Sequence, residues 1–196
     1  MELLPIKRAI LSVTDKNGLV DFAAFLNANG VEIISTGGTK KILEDARIPV
    51  TAVSSVTGFP EILGGRVKTL HPKIHAGILA NKDDSDHMYT LNQLGIKPFD
   101  MVCVNLYDFS SAVEKHLSLN QAVEEIDIGG PCLLRAAAKN YHSILPLPSP
   151  ALYERTKEVL SNNNMKVPLD FRQQLAAETF AIVSRYDALI SSYLAS

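Results

Sequence analysis

With 196 residues, 46% of them hydrophobic and 20% charged, the chain has the composition of one globular domain with a full core and is too short for two ordinary domains. Lys and Arg number 19 against 21 Asp and Glu, and a net charge of −2 excludes the basic excess of a nucleic-acid-binding domain, so any positive field must be local. No apolar run nears the roughly 20 residues that span a bilayer, residues 1–7 carry no leader-like segment, and two cysteines make no disulfide framework, so a cytoplasmic protein with buried free thiols at Cys103 and Cys132 is expected.

The first predicted strand covers residues 8–13. A hydroxyl-rich turn follows, then a helix over 18–29 on which Leu19, Phe22, Ala23 and Leu26 recur at helical spacing, with Gly30 placed to end it. The pattern repeats at once, as strand 31–34, turn 35–39 and helix 40–45, and 49–53 reads as a third strand. Such alternation predicts parallel strands joined by right-handed helical crossovers. Residues 64–77 then gather Arg66, Lys68, Lys73, His71 and His75, and their paired glycines and Pro72 predict a shaped cationic loop. A helix over 84–94 precedes the most continuous apolar strand, 99–107, predicted to be central. Ser118 and Gln121 have capping-box spacing before a short helix, and Gly129-Gly130-Pro131 precedes another over 132–139. Residues 143–147 offer a last strand, which Pro146 either makes an edge strand or ends. Ser149-Pro150 starts a helix to about 161, residues 162–164 form a loop, and 168–194 reads as one long helix. One domain over 1–196 is expected, with 150–196 as helices packed on it.

In an open parallel sheet, ligands lie beyond the carboxyl ends of the strands, where turns present backbone N–H groups and helix N-termini. Two turns there have unusual composition. Ser12-Val13-Thr14-Asp15-Lys16 supplies hydroxyls and an ammonium, and Ser35-Thr36-Gly37-Gly38-Thr39 supplies three hydroxyls and glycines that let a phosphate approach the backbone. Either alone reads equally as a capped turn. Following adjacent strands, and beside the basic loop, the pair points to a phosphorylated small molecule. Neither has the spacing of a P-loop or of a dinucleotide-binding Gly-x-Gly-x-x-Gly. His71 and His75 stand at i, i+4, but Pro72 breaks the helix that would align them and the zincin glutamate is missing, so no metal is expected. Asn105 and Tyr107 end the apolar strand at the cleft, where Tyr107 equally reads as an amphipathic rim residue. The carboxylate beside Gly129-Gly130 equally reads as a helix cap, and Lys139 as a cation complementing its helix dipole.

Together these segments, with Gly58-Phe59-Pro60-Glu61, Asn105-Leu106-Tyr107, Ile126-Asp127-Ile128-Gly129-Gly130 and Arg135-Ala136-Ala137-Ala138-Lys139-Asn140, resemble a known family over essentially the whole chain. It is the IMP cyclohydrolase domain, the N-terminal methylglyoxal-synthase-like (MGS-like) domain of the bifunctional AICAR transformylase/IMP cyclohydrolases of purine biosynthesis. The resemblance implies a three-layer α/β sandwich with a mainly parallel central sheet and helices on both faces. It implies cofactor-free cyclisation of 5-formamidoimidazole-4-carboxamide ribotide (FAICAR) to inosine monophosphate with loss of water. By the same resemblance, Ser12, Lys16, Thr36, Gly37, Gly38 and Thr39 hold the phosphate, while Arg66, Thr69, Asn105, Ile128, Gly129 and Gly130 surround the base and formamide. Thr14, Asp15, Val67 and Val104 complete the substrate-binding set, and Lys68, Tyr107, Asp127 and Lys139 form the proton-transfer and oxyanion group, with the amide's base left open among them. A homodimer and a separate AICAR transformylase are the implied partners. Asp108 departs from the family, whose Asn-Leu-Tyr is usually followed by Pro. A methylglyoxal synthase would need a Gly-Gly-Asp segment, whereas Gly129-Gly130 is followed by Pro131. A non-catalytic ligand-sensing domain of this fold would keep the phosphate cradle without needing Lys68, Tyr107 and Lys139.

Overall fold

The computed structural model describes residues 1–107, 109 and 118–195. The chain enters through β1 (Leu3–Pro5) and β2 (Arg8–Ser12), then runs through α1 (Leu19–Ala28), β3 (Glu32–Ser35), α2 (Gly37–Asp45), β4 (Thr51–Ala52) and α3 (Val53–Thr57). After a 3-10 turn (Leu63–Gly65) come α4 (Pro72–Leu79), α5 (Ser85–Gln93), β5 (Met101–Val104), α6 (Leu119–Glu124) and α7 (Gly129–Lys139). The chain closes with β6 (Leu145–Leu147), a 3-10 turn (Pro150–Leu152), α8 (Tyr153–Asn162), β7 (Lys166–Pro168) and α9 (Leu169–Leu194). Five strands form one all-parallel sheet in the order β4-β3-β2-β5-β6, and β1 pairs antiparallel with β7 in a separate ribbon.

Side-chain alternation divides the strands between two cores. Ala9 and Leu11 of β2, Ile33 of β3 and Met101 and Cys103 of β5 face a core closed by α1, α2 and α8. Ile10, Ile34, Val102 and Val104 point the other way, into a core closed by α3, α4, α7 and α9. Both faces of the sheet are therefore covered, which is why its strands are continuously apolar. The result is the expected α/β sandwich, with helices on both faces of a parallel sheet. Pro146 lies on the edge strand β6, as its missing N–H requires.

The structure corrects several sequence expectations. β5 is interior but not the middle strand, a place held by β2. The cationic loop ends at His71, because Pro72 opens α4 at its first turn, where a missing N–H costs nothing, and His71 Nδ1 caps the helix by accepting from Lys73 N at 3.1 Å. His75 therefore lies inside a helix. Val53 begins α3 instead of ending a strand, and α2 and α7 start at Gly37 and Gly129, inside stretches that read as turns. Cys103 is buried, but Cys132 is only half-buried. α9 runs as one helix, as expected, and packs on α7 and β6. Asp108, the departure from the family motif, lies outside the described residues.

Candidate active site

The carboxyl ends of β2, β3 and β5 open into a cavity of about 1010 Å³. Its first wall is made of the residues that the sequence leads one to expect around a phosphate. Ser12, Thr14 and Lys16 approach from the β2–α1 connection, and Thr36, Gly37, Gly38 and Thr39 from the start of α2. Gly37 holds φ +55, and a Cβ at Gly37 or Gly38 would meet nothing within 4 Å, so the space above this helix N-terminus is open. Thr39 and Lys16 keep the two turns together, and Asn105 ties the first of them to the end of β5. Buried Thr39 Oγ1 accepts from Val13 N at 3.0 Å, lies 3.0 Å from Val13 O, and stands 3.2 Å from Lys16 Nζ. Asn105 Oδ1 accepts from Thr14 N at 2.6 Å and Asp15 N at 2.9 Å, while its Nδ2 donates to Asp15 O at 3.0 Å. Burial pushes the Lys16 ammonium pKa below its usual value, with Asp15 acting against that shift.

The second wall is the cationic loop. Lys68 Nζ lies 3.3 Å from Glu61 Oε1. A Cβ at Gly65, itself at φ +94, would fall 2.7 Å from Lys68 Nζ and 2.8 Å from Glu61 Oε1, so only glycine lets the lysine fold back over this turn. Arg66 pairs with Glu124 of α6, an exposed contact. Thr69 is buried, and its hydroxyl stands 3.0 Å from where a Gly129 Cβ would be, so loop and α7 meet there.

The third wall is the α6–α7 connection. Asp127 Oδ1 accepts from Gly130 N at 2.9 Å. Desolvation raises its carboxyl pKa above the ordinary value, opposed by the Gly130 and Gly129 amides and by Lys68. Ile128, Gly129 and Gly130 line the cavity beside it, and half-exposed Tyr107 faces the same space. The cavity thus joins an end lined by hydroxyls, Lys16 and an open helix N-terminus to an end holding an amine, a carboxyl and a phenol.

Four expected residues are not brought to this cavity. The Asp15 carboxylate turns back to cap Asn17 N at 2.9 Å. Val67 closes the loop through a bridge to Ile62, and Val104 is buried in the sheet. Lys139 is exposed at the far end of α7, ten residues from Gly129 and therefore about 15 Å along the axis at 1.5 Å per residue. Two contributors escaped sequence reasoning. Glu61 belonged to a noted motif without a role, and Tyr186 of α9, whose hydroxyl accepts from Asp127 N at 2.7 Å, carried no signal beyond an aromatic in a helix. Among the described residues, no group of three or more His, Cys, Asp or Glu could hold a metal ion.

The model of the MGS-like domain family matches residues 18–132, and that of the AICARFT/IMPCHase bienzyme matches residues 137–196. The chain is 51% identical over 190 residues to the bifunctional purine biosynthesis protein PurH of Oenococcus oeni, covering 96% of this chain and 37% of that protein. PurH of Lactiplantibacillus plantarum is 53% identical over 189 residues with the same shares, and PurH of Clostridium botulinum strain Loch Maree is 50% identical over 189 residues, covering 96% and 38%. The chain spans little more than a third of the length of these relatives. The crystal structure of ForH matches with a TM-score of 0.84 and 33% identity, over 94% of this chain and 95% of that chain.

Proposed function

Because this chain belongs to the MGS-like domain family, we propose that it is an IMP cyclohydrolase, closing FAICAR to inosine monophosphate with loss of water in purine biosynthesis. The observation that carries this reading is the single cavity joining a phosphate cradle at Gly37-Gly38 to Lys68, Tyr107 and Asp127. The likeness to PurH proteins, which are named for purine biosynthesis, supports it.

The reaction is intramolecular and redox-neutral, so it asks for no cofactor. The substrate carboxamide nitrogen attacks its own formyl carbon, forming a C–N bond and an oxyanion. The carboxamide nitrogen gives up one proton on attack and the formamide nitrogen the other as the ring C=N bond forms, and with them the former formyl oxygen leaves as water. Holding the formyl group in the reactive rotamer supplies up to about 7–11 kcal/mol. The cradle fixes the phosphate through the backbone N–H groups of α2 and the Lys16 ammonium, and the α7 start and Thr69 bound the base. Lys68 stabilises the oxyanion and supplies a proton for its departure. Asp127, made more basic by burial, accepts the amide proton, and Tyr107 donates to the same developing charge.

Lys139 cannot join this group within one chain, given its place at the opposite end of α7. Its assignment is therefore linked to the homodimer, in which a second copy delivers the amine. Residues 1–196 act as one domain in this reading, and formyl transfer belongs to another part of a longer protein or to a separate AICAR transformylase. No helix among the described residues is long and apolar enough to cross a membrane, and a water-soluble ribotide substrate supports a cytoplasmic enzyme in this reading. The test is incubation of the purified chain with FAICAR while following the ultraviolet spectrum of inosine monophosphate. Binding of the ribotide without turnover would replace this reading with the ligand-sensing one.

A further inference from the structure

Asp127 sits in a connection, residues 125–128, that has no regular element of its own to fix it. Its carboxylate is aimed by the Gly130 amide, but its backbone is anchored from elsewhere: Asp127 N donates to the Tyr186 hydroxyl at 2.7 Å, across 59 residues of sequence. Tyr186 is 8% exposed and forms a small core with Phe109 and Ala122, against which Leu106, Ile126, Ile190 and Tyr193 pack. Leu106 and Ile126 are the chain neighbours of Tyr107 and Asp127. The ring is thus fixed by packing, and its hydroxyl is presented to the one backbone group that sets where the Asp127 side chain begins.

We propose that Tyr186 is a positioning residue for Asp127, and that through it the C-terminal helix α9 takes part in the reaction without touching the substrate. The proposal rests on the cyclohydrolase reading. Removing the hydroxyl leaves the packing intact but frees the Asp127 amide, so the connection relaxes and the carboxylate is no longer held against the nitrogen it must deprotonate. Ground-state binding, which depends on the phosphate cradle at the other end of the cavity, is untouched.

The experiment is Tyr186→Phe in the full chain, read by kinetics and by hydrogen exchange at the Asp127 amide. We expect kcat to fall about tenfold, within the range that small misplacements of a reacting group produce. KM should stay within about twofold, since only a group acting in the transition state is disturbed. The Asp127 amide should exchange faster while amides of β2 and β5 keep their protection, which separates a local release from a general loosening. Unchanged kcat, a rise in KM alone, or unchanged exchange at Asp127 would each overturn the positioning role while leaving the cyclohydrolase reading in place. An unmodified chain that does not turn over FAICAR would overturn both.

Discussion

A methyl group at Gly130 would run into the Asp127 carboxylate and fall 2.9 Å from Leu106 Cδ2, so those side chains must shift. Gly130→Ala must therefore push the carboxylate off its amide partner. The helix itself gains from alanine by roughly 0.5–1 kcal/mol, so stability should change little while kcat drops at least about tenfold. Inosine monophosphate formation and a melting curve on the same preparation check both halves. Asp127 makes a complementary prediction. Burial raises its carboxyl above the ordinary 3.8, so the folded protein holds this proton more tightly than the unfolded chain. Ionisation thus weakens the fold at neutral pH, and that cost fades as pH falls and vanishes below the ordinary value. Asp127→Asn should raise the melting temperature at pH 7, and the gain should disappear in acid below 3.8. A melting temperature at pH 7 equal to or below that of the unmodified protein would show that Lys68 and the glycine amides outweigh desolvation. At this scale the sequence was informative where residue types are rare in combination. Lys68, Asp127 and the paired glycines stand out in one dimension. Glu61 as the partner of Lys68 and Tyr186 as the anchor of Asp127 do not, because a Glu and a helical Tyr are unremarkable until folding brings them into contact.

Among the elements, α9 shows how a long helix is tied to a sheet. Arg172 in its first turn is fully buried and, among the described residues, faces no carboxylate within bonding distance. Its guanidinium donates instead to the carbonyls of Tyr141 at 2.8 Å, His142 at 3.1 Å, Met1 at 2.6 Å and Val167, joining the segment ahead of β1, β7, the α7–β6 connection and α9 at one point. Arg172→Met would leave these carbonyls unmet and should destabilise the fold by on the order of 3 kcal/mol. Arg172→Lys should not restore it, because a point ammonium cannot replace a planar fork of five donors. Denaturant melts of both variants test the claim, and a lysine variant as stable as the parent would refute it. Helices α1, α5 and α9 and strands β2, β3 and β5 were legible because period and punctuation agree over several residues. The starts of α2, α4 and α7 were not. Gly37, Gly129 and Pro72 all read as breakers, yet each opens a helix, since the first four N–H groups of a helix have no partner to lose and a first turn tolerates what an interior does not. The β1–β7 ribbon escaped notice because three residues per strand, one a proline at each outer end, carry no period.

For the molecule as a whole, the decisive fact is that α7 separates two groups the proposed chemistry would join, with Asp127 beside its start and Lys139 at its end. Helix rigidity keeps the two ends of α7 about 15 Å apart, further than a lysine side chain spans, so the amine does not reach the Asp127 end of the cavity. If Lys139 serves catalysis, it serves a site on a second copy, and each site is then composite. Lys68→Ala and Lys139→Ala should each lower kcat by at least about tenfold as separate preparations. Mixed after partial denaturation and refolded together, they should regain activity, because a heterodimer holds one site with both lysines lost and one with both intact. With random pairing, half of the dimers are mixed and half of their sites are whole, which predicts recovery to about a quarter of the parent activity. No recovery in a mixture shown by mass to contain heterodimers would place Lys139 outside the reaction, and a sedimentation mass of one chain for the active protein would remove the composite site altogether.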